Sequence, residues 1–348
     1  MKPQNATYTY APGYTFPGNL PTELFNKPYI GTPALSEMFS IRQGIRTDEY
    51  LILVGQMEKV LKAYVGCNPT YTGAGTLSDR KITVGKFSVH QDWCVDDFTA
   101  TASVLSNDPA WIANGMDAFD VSAKVRSLWM DNLIEAIRLD IWRIVTFGND
   151  TSTNADYNVI DGLLVKLMDA FASYCVKAVG NNFPNQYNSL LGTDEAYNAF
   201  KALHVGSPII LKQLMPSEKV FWVTGSVYEN LLASYESKTA GTSELQFKMI
   251  TDGVSQLTYR GIEVRPLYIW DNYLEDSNNP WYNNLRHLII YTPKGGSKFS
   301  NLVIGTERAS DLDRIDMLYN PFTKTTIADA VMRFGVQFIN CDLTAIHH

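Results

Sequence analysis

Residues 117–149, DAFDVSAKVRSLWMDNLIEAIRLDIWRIVTFGN, constrain the fold more than any other stretch of the chain. Val121, Val125, Leu128, Trp129, Leu133, Ile137, Ile141, Ile144 and Val145 recur at the spacing of one helix face. Asp117 or Asp120 supplies a start signal, because a carboxylate accepts from the free N–H groups of a first turn. Gly148-Asn149 supplies a stop, as residues that tolerate left-handed backbone. At the α-helical rise this element is about 40 Å long, which suits a strut. Lys124, Arg126, Asp131, Glu135, Arg138, Asp140 and Arg143 fall between the apolar positions and exclude a membrane span.

The segment before it cannot be built the same way. Pro3, Pro12, Pro17, Pro21, Pro28 and Pro33 deny helix and central strand to residues 1–33, since proline fixes φ and removes a donor. Tyr8, Tyr10, Tyr14, Phe16, Phe25 and Tyr29 are interleaved with them. Disordered tails are poor in aromatics, so an extended arm docked on a surface is the better reading. Residues 34–46 read as a short amphipathic helix or the lead-in to a strand. From residue 80 the pattern alternates: Ile82, Val84, Phe87, Val89 and Trp93 are separated by polar positions, which predicts a strand. With the apolar run near residue 51 and the Gly/Thr-rich turn at 67–79, residues 47–104 form a two-stranded excursion. Such a hairpin is marginal alone in water and needs a partner surface.

Beyond the long helix the chain is mixed. Helices are predicted from about Asp161, from Thr193-Asp194-Glu195 to His204, and from Val227 to Ser237, the last capped by Ser226. Strands are predicted at 219–224, 257–268, 287–292 and 302–305, with Gly261 at a turn or bulge. A long β-rich run over 325–340 closes the chain, with 342–346 extending it. The pattern is α+β.

Composition narrows the function. Lys and Arg number 29 against 36 Asp and Glu, a formal charge of −7. That excludes tight non-specific nucleic-acid binding, which needs many cations facing phosphates. Cys67, Cys94, Cys175 and Cys341 form no CxxC and are read as free thiols in a reducing compartment. The start, MKPQNATYTY, has no apolar signal-peptide core, so synthesis in the cytoplasm is expected.

Chemistry is sparse. There is no phosphate-cradling loop, no G-x-S-x-G and no H-E-x-x-H. His90, His204, His287, His347 and His348 read as surface or satisfied core positions. Asp92, Asp96 and Asp97 read as solvated edge charges. The oxygen-rich sets Asn149, Asp150, Asn154, Asp156 and Asp311, Asp313, Asp316 do not fit the calcium-loop pattern. No catalytic, cofactor-binding or metal-binding residue is assigned, and no cofactor is expected. A core-rich chain without a catalytic signature, but with an arm and a hairpin that need partners, reads as an assembly subunit.

Several local patterns share an order with one family. Gly148-Asn149-Asp150 is followed by Val159-Ile160-Asp161-Gly162-Leu163-Leu164; then come Val220 to Thr224 with Tyr228 and Leu231, Tyr259-Arg260-Gly261-Ile262-Glu263-Val264, and Leu302 to Thr306 with Arg314 to Tyr319. In this order the chain resembles the major capsid proteins of tailed bacteriophages, the Hong Kong 97 fold family. The resemblance implies an N-terminal arm at 1–46 and an E-loop β-hairpin at 47–104. It implies a peripheral (P) domain with the spine helix at 105–149, an axial (A) domain at 150–299, and C-terminal P-domain strands at 300–348.

It also implies function: a non-enzymatic subunit that self-assembles, as hexamers and pentamers, into an icosahedral virion shell around double-stranded DNA. A separate scaffold protein, a portal and decoration proteins are implied partners; contact with DNA is weak and no membrane is involved. Lys81 and Lys86 lie in the E-loop, but no matched Asn or acidic catalyst for crosslinking is identified. Two alternatives remain at this point, an encapsulin-like nanocompartment shell and a carbohydrate-active enzyme or sugar-binding protein.

Overall fold

A computed structural model describes residues 34–55, 77–94, 123–173, 176–178, 183, 186, 190–237, 245–249, 255–282, 284–308, 316–320 and 325–348. The arm at 1–33, the hairpin tip, Asp96, Asp97, Asp311, Asp313 and the helix start at 117–122 lie outside these residues.

Helix α1 (Leu35–Met38) leads into β1 (Ser40–Arg42), so residues 34–46 are both a helical turn and a strand. Strands β2 (Asp48–Val54), β3 (Leu77–Thr83) and β4 (Gly85–Cys94) follow. The strut is α2 (Ala123–Phe147). After it come α3 (Leu163–Ala172), β5 (Lys177–Ala178), α4 (Glu195–Gly206) and α5 (Ile209–Gln213). Then β6 (Lys219–Val223) leads to α6 (Gly225–Ser237), and β7 (Leu245–Met249) to β8 (Ser255–Tyr259). Strand β9 (Ile262–Pro266) leads to α7 (Tyr268–Leu274). The chain closes through β10 (Ile289–Pro293), β11 (Leu302–Thr306), β12 (Asp316–Asn320), β13 (Thr325–Phe338) and β14 (Ala345–His347). The 257–268 segment is thus two strands about a tight turn, in which Arg260 and Gly261 take φ of 50° and 77°. Positive φ at both central positions matches the right-handed twist of a hairpin.

The chain divides into two compact units. Of the described residues, the first takes in 86–94, 123–141, 308, 316–320 and 325–333. In it β12 pairs antiparallel with β13, Asp316 opposite Asp329 and Asn320 opposite Thr325, and β4 also pairs with β13. On α2, Leu133, Ile137 and Ile141 are buried while Asp131, Arg138 and Asp140 are exposed, the one-sided pattern that the sequence predicts.

The second unit takes in 31–85, 142–307 and 334–348. Its centre is a seven-stranded sheet in the order β5-β14-β10-β6-β9-β8-β7. Strands β6 and β10 are buried along their whole length, as strands covered on both faces must be. Phe221 stacks on Tyr291 at 4.2 Å between ring centres, and Phe200 of α4 meets Phe221 at 4.8 Å. Leu203, Val227, Leu231 and Val264 complete this core. Strand β14 joins this sheet beside β10 instead of prolonging β13. A 3-10 turn at Cys341–Leu343 separates them, with the Asn340 side chain accepting from the Asp342 N–H.

The end of α2 shows why glycine stands there. Gly148 does not adopt the left-handed conformation expected of a helix stop. A Cβ on it would lie 2.4 Å from the Ile160 carbonyl oxygen. A Cβ on Gly162 would lie 2.7 Å from the Gly148 nitrogen. The two glycines let the chain fold back on the helix end, with the Gly162 N–H donating to the Gly148 carbonyl at 2.8 Å. Beyond that contact α3 starts without a side-chain cap. Trp142 and Phe147 are fully buried here, Trp142 against Phe39 and Phe147 against Trp270 and Tyr273.

Candidate assembly interface

Strands β2 and β3 pair antiparallel from Asp48 opposite Thr83 to Val54 opposite Leu77. The two-residue period divides their side chains. Leu51 and Ile82 point into a small core with Ile45 and Val303. Tyr50, Ile52, Val54 and Leu77 point the other way, with Ile52 67% and Leu77 73% exposed. Four large apolar side chains on one exposed sheet face form a surface that water solvates poorly. Lys81 on that face pairs with Asp48 at 2.7 Å, and the carboxylate raises the Lys81 pKa.

The base of this hairpin is fastened in several ways. Arg80 lies over the Phe338 ring at 4.1 Å and donates from Nη2 to the Cys341 sulfur at 2.7 Å. Gln337, itself buried, donates to the Lys81 carbonyl at 2.8 Å. Gly335 faces the Thr83 carbonyl so closely that a Cβ would stand 2.0 Å from its oxygen. Cys341 is disulfide-bonded, which corrects its reading as a free thiol. Spacing along a chain sets neither the distance nor the direction of Cβ atoms in the fold.

The residues weighed for chemistry do not converge. His90 is exposed and lies 3.8 Å from Asp329. The His204 ring sits 6.1 Å from that of Tyr259. His287 is fully buried, its Nδ1 2.8 Å from the Ser226 hydroxyl. His347 packs on Phe183 at 4.5 Å and His348 on Phe171 at 6.0 Å. Burial and the neighbouring His347 lower the His348 pKa. Asp92 is exposed on β4. In the loop after α2, the oxygens serve the loop itself. Asn149 accepts from the Thr151 N–H and hydroxyl, Asn154 from the Asp156 N–H, and Asp161 from the Asp150 N–H. The Asp161 charge raises the Asp150 pKa. Among the described residues no group of three or more His, Cys, Asp or Glu side chains could hold a metal ion. No helix among them is long and apolar enough to cross a membrane.

Sequence reasoning missed the device at the start of α6. Ser226 does not cap it; its hydroxyl is turned to His287. Asp271 of α7 reaches across instead, its Oδ2 accepting from the Gly225 N–H at 2.7 Å. A Cβ at Gly225 would lie 2.6 Å from the Tyr268 ring, so α7 packs here only against glycine. Burial pushes the Asp271 pKa up to about 6, against the lowering pull of the backbone N–H groups. The signals were a glycine before the helix and an Asp at a first turn, neither of which names its partner.

No family model matches the sequence, and no curated protein matches it. Solved structures do match it in fold. A chain of Mycobacterium phage Ogopogo superposes with a TM-score of 0.57 at 12% identity, covering 95% of this chain and 96% of that one. A chain from the capsid of cyanophage P-SCSP1u gives 0.52 at 12% identity, covering 96% and 92%. One from the capsid of Myoviridae phage XM1 gives 0.51 at 13% identity, covering 94% and 95%. The chain therefore has the α+β fold of phage capsid proteins, the Hong Kong 97 fold, over nearly its whole length.

Proposed function

We propose that this chain is a structural, non-enzymatic subunit of a tailed-phage capsid, self-assembling into an icosahedral shell around double-stranded DNA. The observation that carries the reading is the capsid fold over nearly the full chain, joined to a hairpin fastened at its base and apolar on its open face. In this reading residues 47–104 are the E-loop, and the Tyr50–Ile52–Val54–Leu77 face is covered by a neighbouring copy. Residues 1–46 are the arm, 105–149 hold the spine helix, and 150–299 are the axial domain. The C-terminal strands at 300–348 are peripheral, except that β14 returns to the axial sheet. Hexamers and pentamers would form the shell, with a separate scaffold, portal and decoration proteins. Each contact can be weak because many are made together. The charge of −7 suits a wall that must not grip packaged DNA.

Expression in a bacterial host, followed by light scattering and negative-stain microscopy, tests this. Closed shells or capsomers are expected. A stable 39.0 kDa monomer, unchanged when a scaffold protein is supplied, would overturn it.

A further inference from the structure

The two ends of the central sheet differ in chemistry. Strands β6 and β9 are parallel neighbours, Val220 opposite Glu263 and Val223 opposite Pro266, so both are entered at one end and left at the other. Five residues of strand put the two ends about 17 Å apart.

At the entered end, α4 runs out at Val205, α5 follows, and Met215 leads into β6. Val205 is 62%, Ile209 72% and Met215 68% exposed. Lys212 ties this surface together, its Nζ donating to the Val205 carbonyl. Lys201, one helical turn before Val205, is exposed, as are Lys212 and Arg260 of the turn into β9. The nearby Glu218 is turned back on the Met215 N–H at 3.2 Å. The surface is apolar and cationic.

At the left end, β6 delivers α6 and β9 delivers α7. Tyr268 is 44% exposed and donates its hydroxyl to Glu229 at 3.1 Å. Glu275 follows the end of α7, and Arg286 partly balances it at 3.6 Å. This surface is aromatic and anionic.

We infer that these two surfaces are the halves of one head-to-tail contact between copies of the chain, Val205, Ile209, Met215 and Lys212 of one copy meeting Tyr268 and Glu229 of the next. The inference rests on the shell-subunit reading and names the partner as a second copy on the ground of charge complementarity. A contact between unlike surfaces is heterologous, so it closes into a ring or continues as a chain, as an assembling subunit requires. Opposite charges also set register and reject like-to-like docking.

The test is a charge swap in the full-length protein. Lys212→Glu and Glu229→Lys are made singly and together, and particle yield is read by sedimentation while thermal melting reports folding. Both side chains are exposed and each change removes one surface hydrogen bond, to the Val205 carbonyl or from the Tyr268 hydroxyl, so melting should fall by no more than about 4 °C. Each single change should lower particle yield by roughly tenfold or more, because like charges then face each other, and the pair should restore it to within about threefold. Singles that assemble as well as wild type, or a double variant no better than either single, would overturn the contact and leave the shell reading standing. A wild-type chain that stays monomeric would overturn both. Single changes that leave self-assembly intact but abolish pull-down of another protein would assign these surfaces to a different partner and reject the inference.

Discussion

Asp271 brings an ionisable carboxyl into the angle between α6 and α7. Its oxygen is positioned by the Gly225 N–H, but burial raises its pKa to about 6. An unfolded carboxyl titrates near ~3.9, so the folded form holds its proton more tightly. Stability from this group is full below that value and is lost as pH rises through about 6. Asp271→Asn keeps an acceptor for the Gly225 N–H and removes the titration. The stability difference between wild type and variant should therefore change by about 3 kcal/mol between roughly pH 4 and pH 7, with wild type the weaker at the upper end. Thermal denaturation across that range checks it, and parallel curves for the two proteins would refute it. Gly148, Gly162 and Gly225 make a related point. Each stands where a Cβ would strike its surroundings, so their role is close approach and not backbone freedom.

The hairpin of β2 and β3 is one element with two kinds of side chain. Ile82 is fully buried in the small core at its base, and truncating it to Ala should cost about 2–5 kcal/mol. Ile52 and Val54 lie on the open face, 67% and 72% exposed. Ile52→Ser with Val54→Ser should change the stability of the free subunit by no more than about 0.5 kcal/mol. The same pair should sharply reduce particle yield, because the proposed shell contact would cover those side chains. Chemical denaturation and sedimentation on the same preparations separate the two effects. Normal particles from the Ile52/Val54 variant would remove the open face from the assembly contact.

For the whole molecule, the proposed arm is the decisive segment. Its prolines and aromatics predict an extended strip docked on a surface. Deleting residues 1–30 should leave a folded subunit that assembles poorly, as read by circular dichroism and light scattering. A deletion that unfolds the chain would instead make the arm part of its core. Long-range pairings close the sheets. Strand β1 joins β11 with Ser40 opposite Val303, and β14 joins β10 with Ile289 opposite His347. The front of the chain and its end are thereby both fixed into sheets formed later or earlier in the sequence, a topology of high contact order.

The strut, the buried strand β6 and the turn at Arg260–Gly261 were legible from the residues, because each follows from local periodicity or backbone preference. The strand expected from residue 80 is two, and β4 leaves the two-stranded excursion to pair with β13, a partner that local alternation does not name. The split of β2 into an inward Leu51 and an outward Ile52 was not, since an apolar run on both parities does not say which face is covered. Helix α7 was hidden, as the aromatic run Tyr268-Ile269-Trp270 has the composition of a strand; in the fold it packs on Gly225 and Phe147. The reach of Asp271 to Gly225, the return of β14 to the sheet and the disulfide at Cys341 join residues far apart along the chain. The sequence by itself determined the strut, the buried strand β6 and the tight turn at Arg260–Gly261, because periodicity and backbone preference are local properties. Tertiary structure alone decided which apolar faces stay open and which ends of the sheet carry opposite charge, because both depend on what the rest of the fold leaves uncovered.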